Sequence, residues 1–215
     1  MPAPKLTLLI TGLLFSAWLF PAEAAESETT SGTPTNQPAF KVTAKNEYVP
    51  NLPPATRVYV SAPPMKFALL TPWGYRLDTQ TAKEVQFATE DYDCFIDFRI
   101  ADPDHTDTAT PDSAYCGNLA LSRFPGATIR DRFPQSAGNG INGQAFDMDW
   151  KGSGEVAQTV RVVYIPSKVG ILEFSLTCPQ PKFKTAQYQL NSVLLTFRAA
   201  DQNEKLDIAP LSNKF

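Results

Sequence analysis

The chain has 215 residues, enough for one domain of ordinary size once its two ends are set aside. Hydrophobic residues make up 43% and charged residues 19%, which is typical of a globular protein and not of a disordered one. The formal net charge of −3 excludes an electrostatic drive toward nucleic acid or anionic lipid, both of which require clustered lysine and arginine, so we expect no nucleic-acid partner.

The amino terminus has the three parts of a secretory signal peptide. Lys5 supplies the positive charge, Leu6 to Phe20 form a short apolar run, and Ala22-Glu23-Ala24 provides a small-x-small cleavage site. The run is shorter than the roughly 20 residues that cross a bilayer. We therefore predict a signal peptide at 1–24, a periplasmic or secreted protein of a bacterial cell envelope, and no stable membrane span after cleavage. The alternative is an uncleaved anchor.

The composition changes along the mature chain. Residues 25–55 are rich in threonine, proline and serine without a sustained apolar period, which predicts a flexible linker. Residues 56–200 carry regular apolar patterns and are predicted to form a single domain. Residues 201–215 form a polar tail that we expect to be frayed.

Alternating apolar and polar side chains predict strands through the domain. The clearest are Cys94–Ile100, Phe146–Trp150, Val160–Tyr164 and Leu172–Cys178, with shorter ones at Lys66–Leu70 and Glu84–Phe87. Short turn segments join the last three of the clear strands. This spacing predicts an antiparallel meander.

The apolar period changes from 2 to 3.6 after Pro179 and Pro181, which predicts a helix packed on the meander. Its apolar residues are Phe183, Ala186, Leu190, Val193, Leu194 and Phe197. A second helix is expected from Pro111 to Leu121. The predicted fold class is α+β: an antiparallel β-sheet meander with flanking helices, similar to an α/β/α sandwich.

Three stretches of the chain resemble the PsbP-like family. They are VRVVYIPSKVGILEFSLTCP, the helix ending LNSVLLTFR, and MKFALLTPWGYRL with its Pro72-Trp73-Gly74-Tyr75 turn. In that family a strand of the ILEFSLTC kind precedes a helix ending in a Ser-x-x-x-[ST]-Phe-[KR] stretch, here Ser192 to Arg198. The resemblance implies an antiparallel sheet with flanking helices. It carries over no functional residue.

The cysteines and the single histidine give no catalytic pattern. Cys94, Cys116 and Cys178 permit at most one disulfide in an oxidising compartment, and their spacing does not select the pair. His105 lies in an acidic loop without the spacing of a calcium loop, so we favour a solvated turn. A weak cation site at Asp102, Asp104 and Asp107 is the alternative. No G-x-S-x-G motif is present, and we predict no catalytic residue, no cofactor and no enzyme activity.

Two further groups of residues suggest sites. Asp147 and Asp149 lie on one side of a predicted strand, which we interpret as a solvated face. The segment from Phe124 to Asn142 is predicted to be a flexible loop. Arginine and aromatic residues on such a loop favour a partner-binding site formed by Phe124, Arg130, Arg132 and Phe133. The alternative is that Ile129 and Phe133 pin a connecting loop to the core.

The sequence therefore favours an exported, non-enzymatic module that binds another envelope protein. The alternative is a carrier that holds a small apolar ligand between sheet and helix. Its cavity would be lined by Phe146, Met148, Trp150, Leu172, Phe174 and Phe197. An envelope hydrolase using His105 is a third hypothesis with less support.

Overall fold

The computed structural model describes residues 40–47, 55–80, 83–152 and 156–208. The predicted signal peptide, residues 25–39 and 48–54 of the predicted linker, and residues 209–215 of the predicted tail lie outside the described residues. Within them the strands are β1 (Lys41–Glu47), β2 (Ala55–Ala62), β3 (Met65–Leu70), β4 (Tyr75–Gln80), β5 (Glu84–Thr89), β6 (Phe95–Asp102), β7 (Thr128–Ala137), β8 (Ile141–Lys151), β9 (Ala157–Ser167), β10 (Gly170–Pro179) and β11 (Arg198–Asp201). The α-helices are α1 (Ser113–Arg123) and α2 (Phe183–Thr196), and short 3₁₀ helices span Gly138–Gly140 and Gln180–Lys182.

The strands form two antiparallel sheets. The small sheet has the order β1-β2-β3-β11, and the large sheet has the order β4-β5-β6-β10-β9-β8-β7. The predicted meander is confirmed, since β8, β9 and β10 are consecutive neighbours joined in antiparallel register. The protein is thus mainly antiparallel β-structure with two helices, both at the predicted positions.

The large sheet is covered on both faces. One face packs against the small sheet and α2 around a cluster of rings from Phe67, Phe98, Phe174 and Phe197, whose neighbouring centroids lie 4.9–6.0 Å apart. The other face packs against α1. The expected α/β/α sandwich is therefore correct for the helices, but the layer that contains α2 also contains a four-stranded sheet.

Two segments that the sequence predicts as irregular are strands. β1 lies inside the predicted linker and pairs with β2 along its whole length. Phe40 is buried just before it, and Glu47 accepts two hydrogen bonds from Arg57 at 2.6 and 2.9 Å. β7 replaces the predicted loop and pairs with β8 as the last strand of the large sheet. Both strands are held by backbone pairing and show no clean apolar alternation.

The predicted cavity of the carrier hypothesis is wrong. Phe146, Met148 and Trp150 pack on the α1 face, whereas Leu172, Phe174 and Phe197 belong to the core on the opposite face. Alternation along the strands separates the two groups, so the six side chains cannot line one space. Among the described residues, no helix is long and apolar enough to cross a membrane.

The ring cluster between the two sheets should dominate stability. Phe98 is fully buried and lies against the rings of Phe40, Phe67, Phe174 and Phe197. We expect Phe98→Ala to lower the free energy of unfolding by about 3–5 kcal/mol because it removes a large side chain from a packed core.

Urea denaturation followed by circular dichroism measures this loss. The matched control is Leu195→Ala on α2, whose side chain is 71% exposed and whose truncation should cost less than about 0.5 kcal/mol. Equal losses in the two variants would contradict the assignment of the core.

Candidate functional site

A pocket opens on the large sheet because α1 is too short to cover it. The 11 residues of α1 extend about 16 Å, whereas the 11 residues of β9 extend about 36 Å. The helix begins at an Asp112 cap, whose carboxylate accepts the backbone N–H groups of Ala114 and Tyr115, and it ends at Arg123, with Phe124 as its C-cap. Beyond its end lies a cavity of about 630 Å³, which we call the sheet pocket.

Strand register builds the floor of the sheet pocket in rows. Gln86, Asp97 and Ser175 are directly opposite one another on β5, β6 and β10. The following rows place Thr177 beside Phe95, and Gln158 between Pro179 and Trp150. The walls come from the end of α1 and from two turns of the large sheet. They are formed by Tyr92, Asp93, Arg123, Phe124, Trp150, Gly152 and Val156.

Asp97 is a buried carboxylate on this floor. Its side chain accepts hydrogen bonds from Gln86 Nε2 at 2.7 Å and Ser175 Oγ at 3.3 Å, and the residue is 6% exposed. Burial raises the pKa of Asp97 to about 6, against the opposing effects of the Gln86 hydrogen bond and the Arg123 charge. Among the described residues none forms an ion pair with Asp97 within 4.0 Å. The pocket therefore holds a carboxylate whose direct partners are neutral.

In the neighbouring row of the sheet, the buried carboxylate is paired with a cation. Glu173 is fully buried and accepts two hydrogen bonds from Arg99, both at 2.8 Å. Arg123 bonds Glu84 at 3.0 Å and approaches Glu173 to 3.7 Å. These contacts neutralise the buried charge of Glu173 locally. They leave Asp97 as the carboxylate available to a ligand.

Aromatic side chains and a free acceptor complete the sheet pocket. The rings of Phe124 and Trp150 meet edge to face at 5.2 Å, and the indole N–H donates to the carbonyl of Pro125 at 3.2 Å. The amide oxygen of Gln158 is buried and accepts no hydrogen bond from the described residues. Acceptor oxygens between aromatic walls suit a ligand group that donates hydrogen bonds or carries positive charge.

A second cavity, of about 690 Å³, lies at the start of α2. Its lining includes Trp73, Tyr75, Cys94 and Lys182. The Lys182 ammonium bonds the carboxylates of Asp91 and Asp93, each at 2.6 Å, so these exposed charges satisfy one another. The sheet pocket is the stronger candidate because its carboxylate is buried and lacks such a partner.

The structure separates the four residues predicted to form a binding loop. Phe124 is buried and lines the sheet pocket. Arg130 pairs with Asp149 at 3.3 Å. Arg132 lies on the α1 face over the Phe146 ring, whereas Phe133 lies on the opposite face beneath the Arg161 guanidinium at 4.8 Å. The alternation of β7 therefore divides Arg132 from Phe133, and they share no surface.

Two acidic groups noted in the sequence have structural partners. Asp147 is buried, not solvated as predicted, because both faces of the sheet are covered, and it accepts two hydrogen bonds from Arg161 at 2.7 Å. In the acidic loop, the His105 ring stacks on Tyr115, whose hydroxyl donates to Asp102. The described part of the chain contains no group of three His, Cys, Asp or Glu side chains placed to hold a metal ion.

Sequence reasoning did not identify Asp97, Gln158 or Arg123 as site residues, and it named Trp150 only as part of the lining of an apolar cavity. The available signal was the polar side of two predicted strands: Asp97 on one, and Ser175 with Thr177 on the other. Those side chains meet because β6 pairs with β10, and this pairing joins strands separated by α1 and three further strands.

No protein-family model matches the chain, and no curated protein matches it. Among solved structures it is similar to a protein of unknown function from Pseudomonas aeruginosa (15% identity, TM-score 0.38, covering 75% of this chain and 87% of that one). It is also similar to cyanobacterial PsbP from Synechocystis sp. PCC 6803 (14%, 0.43, 79% and 97%) and to Mycobacterium tuberculosis LpqN, which is involved in cell envelope biogenesis (13%, 0.44, 74% and 91%). A PsbP is thus among the similar structures. These identities and TM-scores assign no function or binding residue to this chain.

The raised pKa of Asp97 predicts a pH-dependent cost of folding. Below about pH 3.8 the carboxyl is neutral in both the folded and the unfolded chain. Between about pH 3.8 and about pH 6 the unfolded chain ionises this carboxyl while the folded chain keeps it protonated, so stability falls by up to about 3 kcal/mol across that range and is constant above it. An asparagine side chain at this position would be neutral at every pH. We therefore expect Asp97→Asn to raise the free energy of unfolding at pH 7, by an amount that shrinks toward zero near pH 4.

Urea denaturation of the two proteins from pH 4 to pH 8 measures this difference. Asp104→Asn, in the exposed acidic loop, removes the same charge and should change stability by less than about 0.5 kcal/mol. A destabilised Asp97→Asn variant at pH 7 would show that the carboxylate is structurally required.

Proposed function

We propose that this protein is an exported, non-enzymatic binding module whose sheet pocket receives a cationic side chain of an envelope partner protein. The observation that carries the proposal is Asp97, a buried carboxylate with only neutral direct partners at the floor of an aromatic-walled pocket. Retaining a charge where it destabilises the fold is typical of a functional site. The export component rests on the predicted signal peptide.

The chemistry of the pocket favours a cation. A second donor of the partner would bond the free amide oxygen of Gln158, which lies two strands from Asp97 on the floor. A lysine or arginine side chain would pair with Asp97 itself. Its aliphatic stem would lie against Trp150 and Phe124, and its charge would interact with the aromatic faces. An apolar ligand would leave the Asp97 charge without a counter-ion and the Gln158 amide oxygen without a donor, which is costly in a desolvated site. The polar floor therefore argues against an apolar cargo here.

The rim of the pocket favours a protein over a small molecule. Tyr92 and Val156 line the pocket and remain 48% and 63% exposed. Apolar side chains around a concave polar centre are the usual arrangement of a protein interface, where the rim excludes water from the buried contact. A partner that inserts one basic side chain would cover this rim, whereas a ligand confined to the pocket would leave it in water.

Site-specific photo-crosslinking in the cells that make the protein tests this proposal. A photoreactive amino acid at position 156 should capture a partner, whereas the same group at position 195 on exposed α2 should not. Asp97→Asn should reduce the capture at least tenfold, because it removes the charge that pairs with the cation. Asp104→Asn should leave the capture unchanged.

The Asp97→Asn variant separates binding from folding. We expect it to be at least as stable as the wild type at pH 7, so a loss of capture cannot be attributed to unfolding. Undiminished capture by a folded Asp97→Asn variant would contradict the proposed role of the carboxylate. Mapping the crosslink to a partner segment without lysine or arginine would contradict the cationic side chain.

A further inference from the structure

The three cysteines are divided between the two faces of the large sheet. Cys94 and Cys178 are buried in the core on the face toward the small sheet and α2. Cys116 lies on α1 and is buried on the opposite face. The sheet itself separates Cys116 from the other two, so Cys116 cannot reach either of them without unfolding.

Strand register brings Cys94 and Cys178 together. Phe95 on β6 is directly opposite Thr177 on β10, and Ile96 is opposite Leu176. Continued by one residue beyond the start of β6, the same antiparallel register places Cys94 opposite Cys178. Their side chains point to the same face, as their membership of one core cluster requires. In the structure both are free thiols, and each lies close enough to affect the pKa of the other.

The backbone hydrogen bonds of Cys94 show whether Cys94 and Cys178 form a hydrogen-bonded or a non-hydrogen-bonded pair of the antiparallel ladder. Its carbonyl accepts the N–H of Thr89, and its own N–H donates to the Thr89 hydroxyl, so both groups point toward β5. Toward β10, Cys94 therefore occupies a position without backbone hydrogen bonds. Opposite residues at such positions have Cα atoms about 4.5 Å apart and the closest side chains. This separation is within the roughly 4.4–6.8 Å that a disulfide spans.

We infer that Cys94 and Cys178 form a disulfide bond between β6 and β10, and that Cys116 remains a thiol. The inference concerns a different part of the molecule from the sheet pocket and does not depend on the proposed binding function. It takes from the predicted export only that the chain meets an oxidising compartment.

The oxidation proceeds by two thiol–disulfide exchanges. The thiolate of one cysteine attacks a disulfide of the oxidant, an exported dithiol oxidase or oxidised glutathione, and releases one oxidant thiol. The thiolate of the other cysteine then attacks the resulting mixed disulfide and releases the second oxidant thiol. The S–S bond forms, the two cysteines lose two protons and two electrons, and the oxidant is reduced to two thiols.

The oxidation should accompany folding. Burial raises the pKa of Cys178 to about 12 and also raises the pKa of Cys94, so few thiolates exist in the folded chain. Cys116, whose pKa burial raises to about 12, is similarly unreactive once the chain is folded. The experiment is therefore carried out during refolding.

The test is oxidative refolding of the purified protein. The chain is unfolded and reduced, refolded in a mixture of reduced and oxidised glutathione, and treated with iodoacetamide under denaturing conditions. Mass spectrometry of the intact chain should show one alkylated thiol, and peptide mapping should link Cys94 to Cys178. Three alkylated thiols, or a link that includes Cys116, would overturn the inference.

Matched variants give an independent measurement. Cys116→Ala should refold with no alkylatable thiol, whereas Cys94→Ala and Cys178→Ala should each retain two. The oxidised wild type should melt on the order of 10 °C higher than the reduced protein, because the bond closes a long loop that includes α1 and β7–β9. Equal melting temperatures would contradict a bond that constrains the chain.

Discussion

The large sheet must be covered on both faces, and its two covers have different lengths. The small sheet and α2 cover one face around the rings of Phe98 and Phe174. On the other face α1 ends at Arg123, although the strands continue. Under the helix the strands carry apolar side chains such as Val162 and Ile171, and beyond its end they carry Asp97 and Thr177. The side chains on this face of the sheet thus change from apolar to polar where α1 ends, and the sheet pocket is a consequence of the length of α1.

Two neighbouring buried carboxylates on this face have different kinds of hydrogen-bond partner. Glu173 has no exposed surface and is matched by the bidentate guanidinium of Arg99, which satisfies both of its oxygens. Asp97, one row away, receives a neutral amide and a hydroxyl, and burial raises its pKa to about 6. The fold therefore contains a suitable cation for one carboxylate and not for the other. A partner that supplies the missing cation would gain the interaction that the isolated chain lacks, and this links the instability of the site to its proposed use.

Periodicity made part of this structure predictable from sequence. The strands of the meander and α2 bury continuous apolar stripes, and their positions follow from spacing alone. The position of β7 does not follow from spacing, because an edge strand needs no apolar alternation and tolerates a proline, here Pro134. The candidate site was harder to predict. Phe124 was identified from its aromatic and arginine-rich surroundings, but Asp97 meets Ser175 only through the pairing of β6 with β10, and register between strands so distant in sequence is not a local property.

The same pairing joins the two sites of interest. Asp97 on β6 follows Cys94 by three positions, and Thr177 precedes Cys178 on β10. Because side chains alternate, the cysteines face the ring-rich core while Asp97 and Thr177 face the sheet pocket. A bond between the cysteines would hold the two strands together directly beneath the pocket floor without occupying the pocket. It would limit the separation of the groups that contact a ligand, and a site held rigid before binding loses less entropy when the ligand arrives.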